Sequence, residues 1–157
     1  MAESRALLLV IILRFAVAGF WFEHSHDKWE WFQTGELQRR LLNWNENAQG
    51  AQKLYLEKFC IPHYQALQYL VVFGELAVSV SFLFGYWTRL AALGGAFMAL
   101  SFLFAQGSLL TWHVIGNPYG LMTILGTLVA AYGGGDSRWS VAAWRGKKEK
   151  PKQQAKQ

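Results

Sequence analysis

Formal charge is scarce in this chain: 16% of its 157 residues are Asp, Glu, Lys or Arg, and none of these occurs from position 90 to position 135. Soluble domains carry roughly 25%, so a water-facing surface over that stretch is excluded. Cysteine occurs once, at Cys60. That excludes an internal disulfide, a C-x-x-C relay and any Cys-based zinc or cluster site. Only three prolines are present, and two of them, Pro62 and Pro118, stand where apolar runs begin, the position helices favour. No G-x-G-x-x-G, P-loop, nucleophile elbow or H-E-x-x-H is found, and no internal repeat. No redox centre is visible in the chain itself. No metal site is expected.

What is abundant is apolar sequence, 53% of the chain, with 16% aromatic residues. The spacing of runs predicts one all-α domain over 1–144, an integral membrane four-helix bundle. Its spans are expected near 6–22, 62–86, 89–106 and 117–133, each close to the ~20 residues that cross a bilayer. Trp21, Trp87, Trp112 and Trp139 fall near the span ends, where an aromatic belt would put them. Ala91, Gly95 and Ala99 in the third span, Ser81 and Gly85 in the second, and Gly126 and Ala130 in the fourth allow close backbone approach.

The net charge of +5 is no signature of nucleic-acid binding. Five of the fifteen basic residues, Lys147, Lys148, Lys150, Lys152 and Lys156, sit in a polar 145–157 tail expected to be disordered and cytoplasmic. Four spans put both termini on that side of a bacterial-type inner membrane, with the Arg89 turn beside them. Ala16-Val17-Ala18 has the form of a signal cleavage site, but Glu3 and Arg14 argue against cleavage. The 23–61 segment then lies outside. Within it Leu37, Leu41 and Trp44 recur at helical spacing, with Thr34 as cap and Glu36–Arg40 as an i,i+4 pair, which predicts a short amphipathic helix. It would lie over the bundle mouth, either against lipid or as a lid. The aromatic residues Trp29, Trp31, Phe32, Trp44, Tyr55 and Phe59 make the same loop an interfacial anchor or a contact surface for partner subunits.

Two charges stand inside apolar runs, Arg14 in the first and Glu75 in the second. An isolated charge there is expensive, so the two are expected to pair between neighbouring helices. The pair either fixes helix register or lines a polar pocket for a quinone head or a proton step. His24, His26, His63 and His113 gather near one membrane face. Imidazoles there take up protons, ligate a metal or pigment, or bond a quinone carbonyl, and His63, His113 and Trp112 are the candidate quinone or pigment contacts.

Several of these pieces coincide with a known pattern. Leu13-Arg14, Lys28, Pro62, Gly74-Glu75-Leu76, Gly85-Tyr86-Trp87-Thr88-Arg89-Leu90-Ala91-Ala92 and Asn117-Pro118 together resemble the DoxX/DoxD family of small four-span membrane proteins. The resemblance implies a four-helix bundle. It also implies a place with relatives that form the membrane part of thiosulfate:quinone oxidoreductase or accompany membrane redox complexes. It departs at Ala142, which stands where the family pattern carries Asp.

The expected function is therefore a membrane subunit of a quinone-linked redox complex, with quinone as the small-molecule ligand and membrane lipid and other protein subunits as partners. The alternative is a non-catalytic accessory subunit of a larger respiratory or photosynthetic complex that binds lipid or pigment. The first predicts a cavity reaching the buried charges. The second predicts a filled interior.

Overall fold

The computed structural model describes residues 2–109 and 111–132, and every element in them is helical. Helix α1 spans Ala2–Asp27 and runs without a break into a 3-10 turn, Lys28–Glu30, and a short α2, Trp31–Thr34. Then come α3, Glu36–Glu46, and α4, Gly50–Tyr55, which passes into a π-helical turn, Leu56–Cys60. The remaining elements are α5, Tyr64–Phe84; α6, Thr88–Ala105; α7, His113–Gly116; and α8, Leu121–Tyr132. Among the described residues three segments are long and apolar enough to cross a membrane: Leu8–Thr34, Tyr64–Phe84 and Thr88–Ala105; α8 is apolar but shorter. Helix α1 packs on α5 and α8, and α6 packs on the same two, so the four close into a ring. This is an all-helical membrane bundle.

The stripes that face inward are legible as heptad-like seams. On α1 and the 3-10 turn that continues it the buried residues Arg14, Ala18, Trp21, Ser25 and Lys28 follow one another at steps of four and three. On α5 Gln68, Val72, Glu75, Ser79 and Phe82 do the same. Steps of three and four keep side chains on one face, the geometry of a helix–helix seam. Two hydrogen bonds fix the antiparallel register: Ser25 Oγ donates to Val72 O at 2.9 Å and Ser79 Oγ to Ala18 O at 2.8 Å.

Small residues make room for one large side chain. Trp21 is wholly buried, with its indole 3.1 Å from where a Cβ on Gly95 would stand, and its Nε1–H donates to Thr127 Oγ1 at 3.2 Å. This corrects its expected place in an aromatic belt: α1 continues beyond Trp21, which puts the indole in the interior. Trp87 and Trp112 are exposed near helix ends.

The first helix therefore does not stop near position 22, and 23–61 is largely helical. Helix α3 lies over one end of the ring, with Leu37 and Leu41 buried beneath it and Trp44 edge-on to Phe102 of α6. Its apolar face is covered by protein. Thr34 does not cap it; the Thr34 hydroxyl bonds back to Glu30 O, and Gly35, left-handed at φ 63°, breaks the chain between α2 and α3. Arg40 Nε donates to Glu36 Oε1 at 2.8 Å, the i,i+4 pair. At the opposite end Gly85, also left-handed, closes α5, with Tyr86 N–H donating to Ser81 O at 3.0 Å. We call these the capped end and the turn end. Asn117 and Pro118 precede α8 rather than opening it, because Asn117 serves a turn of its own. The expected stop at Gly133, the belt residue Trp139, Ala142 and the basic tail lie outside the described residues.

Candidate functional site

The buried polar centre is assembled from three elements at the capped end. Lys28 Nζ donates to Glu75 Oε2 at 2.6 Å, to His24 O at 2.9 Å and, in a very short contact, to the Tyr119 hydroxyl. Tyr119 OH in turn donates to Glu75 Oε1 at 3.1 Å. Glu75 is 0% exposed and Lys28 5%. Both carboxylate oxygens and the ammonium thus have partners, the condition under which charges survive in a low-dielectric interior.

This corrects the expected Arg14–Glu75 pair: among the described residues, the ion pair of Glu75 is with Lys28. The antiparallel register explains why. Val72 meets Ser25 and Ser79 meets Ala18, so Arg14 lies level with the far end of α5, roughly 12 Å along the axis from Glu75. Side chains tilt toward the N-terminus of their own helix. On α5 that tilt carries Glu75 toward the capped end; on the 3-10 continuation of α1 it carries Lys28 back down to meet it. The same tilt directs Arg14 away. Arg14 is nonetheless buried, its guanidinium 4.9 Å from the Phe15 ring centre.

An aromatic shell encloses the three polar groups. Phe102 stacks on Tyr119 at 5.0 Å between centroids, and His24 meets Tyr119 edge-on at 5.3 Å. The buried Trp31 ring has Lys28 Nζ at 5.5 Å and the Arg40 guanidinium at 5.7 Å from its centre. Trp31 therefore links the polar centre to α3 above it. Tyr119 is held from below by an Asx turn: its N–H donates to Asn117 Oδ1 at 2.9 Å, while Asn117 Nδ2 donates to Gln106 Oε1 at 2.7 Å.

The four histidines separate. His24 adjoins the centre, with Nδ1 bonded to Phe20 O at 3.0 Å, and His26 is exposed against Phe22. His63 bonds Phe59 O at 2.9 Å and lies beside the Phe59 ring. His113 and Trp112 share a groove of about 460 Å³ with Ser108, Gly116, Asn117 and Pro118. The candidate contacts Trp112 and His113 are thus brought together, and His63 is not among the residues lining that groove. Among the described residues no group of three His, Cys, Asp or Glu is placed to hold a metal.

Of the three central groups, Tyr119 was not singled out from sequence, and Lys28 was named only as a piece of the family pattern, not as the partner of Glu75. Lys28 was assigned to a loop, although Ser25 and Lys28 extend the four-three stripe of Arg14, Ala18 and Trp21. Tyr119 is the one side chain in 116–122 that is both aromatic and able to hydrogen-bond, and nothing local said that it turns inward.

The DoxX family model matches residues 9–107. This chain belongs to the DoxX family. No curated protein and no solved structure matches it. The DoxX match covers Arg14, Lys28 and Glu75 and ends before Asn117 and Tyr119, so the third member of the polar centre comes from outside the matched segment.

Proposed function

We propose that this DoxX protein is the membrane subunit of a quinone-linked redox complex, a thiosulfate:quinone oxidoreductase-like component whose partner carries the redox groups. The observation that carries this reading is the enclosed Lys28–Tyr119–Glu75 chain of hydrogen bonds. Intramembrane ionisable groups that pair in a bundle interior mark proton and substrate pathways. Reducing a quinone to a quinol consumes protons as well as electrons. The partner would supply the electrons, and an ammonium, a phenol and a carboxylate in series offer sites where a proton can reside. The basic tail and Arg89 favour a cytoplasmic turn end in the inner membrane, with both termini inside and the capped end outside. There the partner would meet the α2–α4 cap.

A second reading has its own support. Glu75 has no exposure at all, and the described groove is lined by none of Arg14, Lys28 and Glu75; charges enclosed in this way fit the filled interior expected of an accessory subunit that binds only lipid or pigment and braces a larger respiratory or photosynthetic complex.

Mild-detergent purification of the tagged chain from its native membrane tests both. The quinone-linked reading expects a co-purifying protein with redox groups, together with bound quinone. It also expects Glu75→Gln to keep that complex while quinone turnover falls. A partner without quinone, and turnover indifferent to Glu75→Gln, selects the accessory role. Recovery of the chain alone overturns both.

A further inference from the structure

We propose that the groove formed by Ser108, Trp112, His113, Gly116, Asn117 and Pro118 is the seat of a quinone-type head group, a planar ring bearing neutral carbonyl oxygens. This rests on the quinone-linked reading and locates its ligand. The volume, about 460 Å³, lies within the range of small-molecule sites. Trp112 is 88% exposed beside it, a free aromatic face on which a ring can stack. Gly116 forms an open floor: a Cβ built there meets nothing within 4 Å.

The polar groups suit carbonyl oxygens. One Asn117 amide hydrogen goes to Gln106 and its oxygen to the Tyr119 N–H, so the amide is fixed with a second hydrogen in hand. The His113 imidazole and the Ser108 hydroxyl supply further donors. None of the lining residues is Lys or Arg, whereas phosphate seats are built from such cations. That favours a neutral ring over a lipid phosphate. Asn117 also joins the groove to the buried centre, since the turn it holds carries Tyr119, whose hydroxyl touches both Lys28 and Glu75.

The test is binding of a short-chain quinone to the full chain in lipid nanodiscs, read by quenching of tryptophan fluorescence. Gly116→Leu fills the groove without removing a polar group and has room to fold; it is expected to weaken binding at least tenfold. His113→Ala removes one hydrogen bond and should weaken it by up to about tenfold. His63→Ala should change nothing. Unchanged affinity in Gly116→Leu and His113→Ala overturns the seat and leaves the quinone-linked reading standing. Displacement of the quinone by a short-chain phosphatidylglycerol assigns the groove to lipid phosphate and also overturns the seat. A wild-type chain that binds no quinone overturns both.

Discussion

Lys28 and Arg14 occupy one stripe of α1 and its 3-10 continuation, about 21 Å apart along the axis, yet the ion pair of Glu75 among the described residues is with Lys28. Which of two cations neutralises a buried acid depends on register and on the direction in which side chains lean. Removing Lys28 strands the carboxylate, so Lys28→Ala should destabilise the bundle by about 3–5 kcal/mol. Tyr119→Phe, which removes a hydroxyl bonded to both charges, should cost about 1–2 kcal/mol. A double-mutant cycle in detergent unfolding separates the cations: Lys28 with Glu75 should show strong coupling, and Arg14 with Glu75 coupling near zero. A residue outside the spans gives a pH effect. Burial, and then the neighbouring Cys60, push the Tyr55 phenol up to about 12. Between pH 10 and about 12 the native state keeps that proton while the unfolded chain releases it. The unfolded state then binds fewer protons, so stability falls as pH rises through that window. The slope should be shallower in Tyr55→Phe, measured as the unfolding midpoint against pH.

At the scale of the element, close approach is uneven around the bundle. A Cβ on Gly120 would stand 1.8 Å from Val114 O, a backbone atom that cannot yield without shifting α7. Gly120→Ala should therefore cost about 1–3 kcal/mol and disturb the groove wall. At Gly74 a Cβ would meet only the end of the Met98 side chain, the sulfur at 2.8 Å and Cε at 3.4 Å, the mobile part of a flexible side chain. Gly74→Ala should be tolerated with a small loss, and thermal unfolding of the two variants side by side checks the contrast. Helix α3 shows how far an amphipathic pattern can be read. Leu37, Leu41 and Trp44 do form one face of a helix, and the Glu36–Arg40 pair forms as spaced. Whether that face meets lipid or protein was open in sequence, because an apolar stripe is indifferent to the source of its apolar partner. Phe102 and the capped end of the ring provided the partner here.

At the scale of the whole molecule, the ring of α1, α5, α6 and α8 holds the Lys28–Tyr119–Glu75 centre near its capped end and buries Arg14 near its turn end. The proposed orientation is checked by labelling with an impermeant thiol reagent in a Cys60→Ser background. Asn47→Cys, in the cap, should label in intact cells; Arg89→Cys, at the turn, should label only after the membrane is opened. The reverse pattern would invert the topology. The sequence by itself determined the class of molecule: long uncharged runs can only be satisfied by lipid-embedded helices, because helical backbones meet their own hydrogen bonds. It also determined that Glu75 needs a partner within the protein, since solvating a carboxylate in hydrocarbon has no other solution. Only the tertiary structure decided that the partner is Lys28 and that Tyr119 completes the centre. Pairing across helices is fixed by register, helix continuation and side-chain tilt, and these are relations between segments that no single segment encodes.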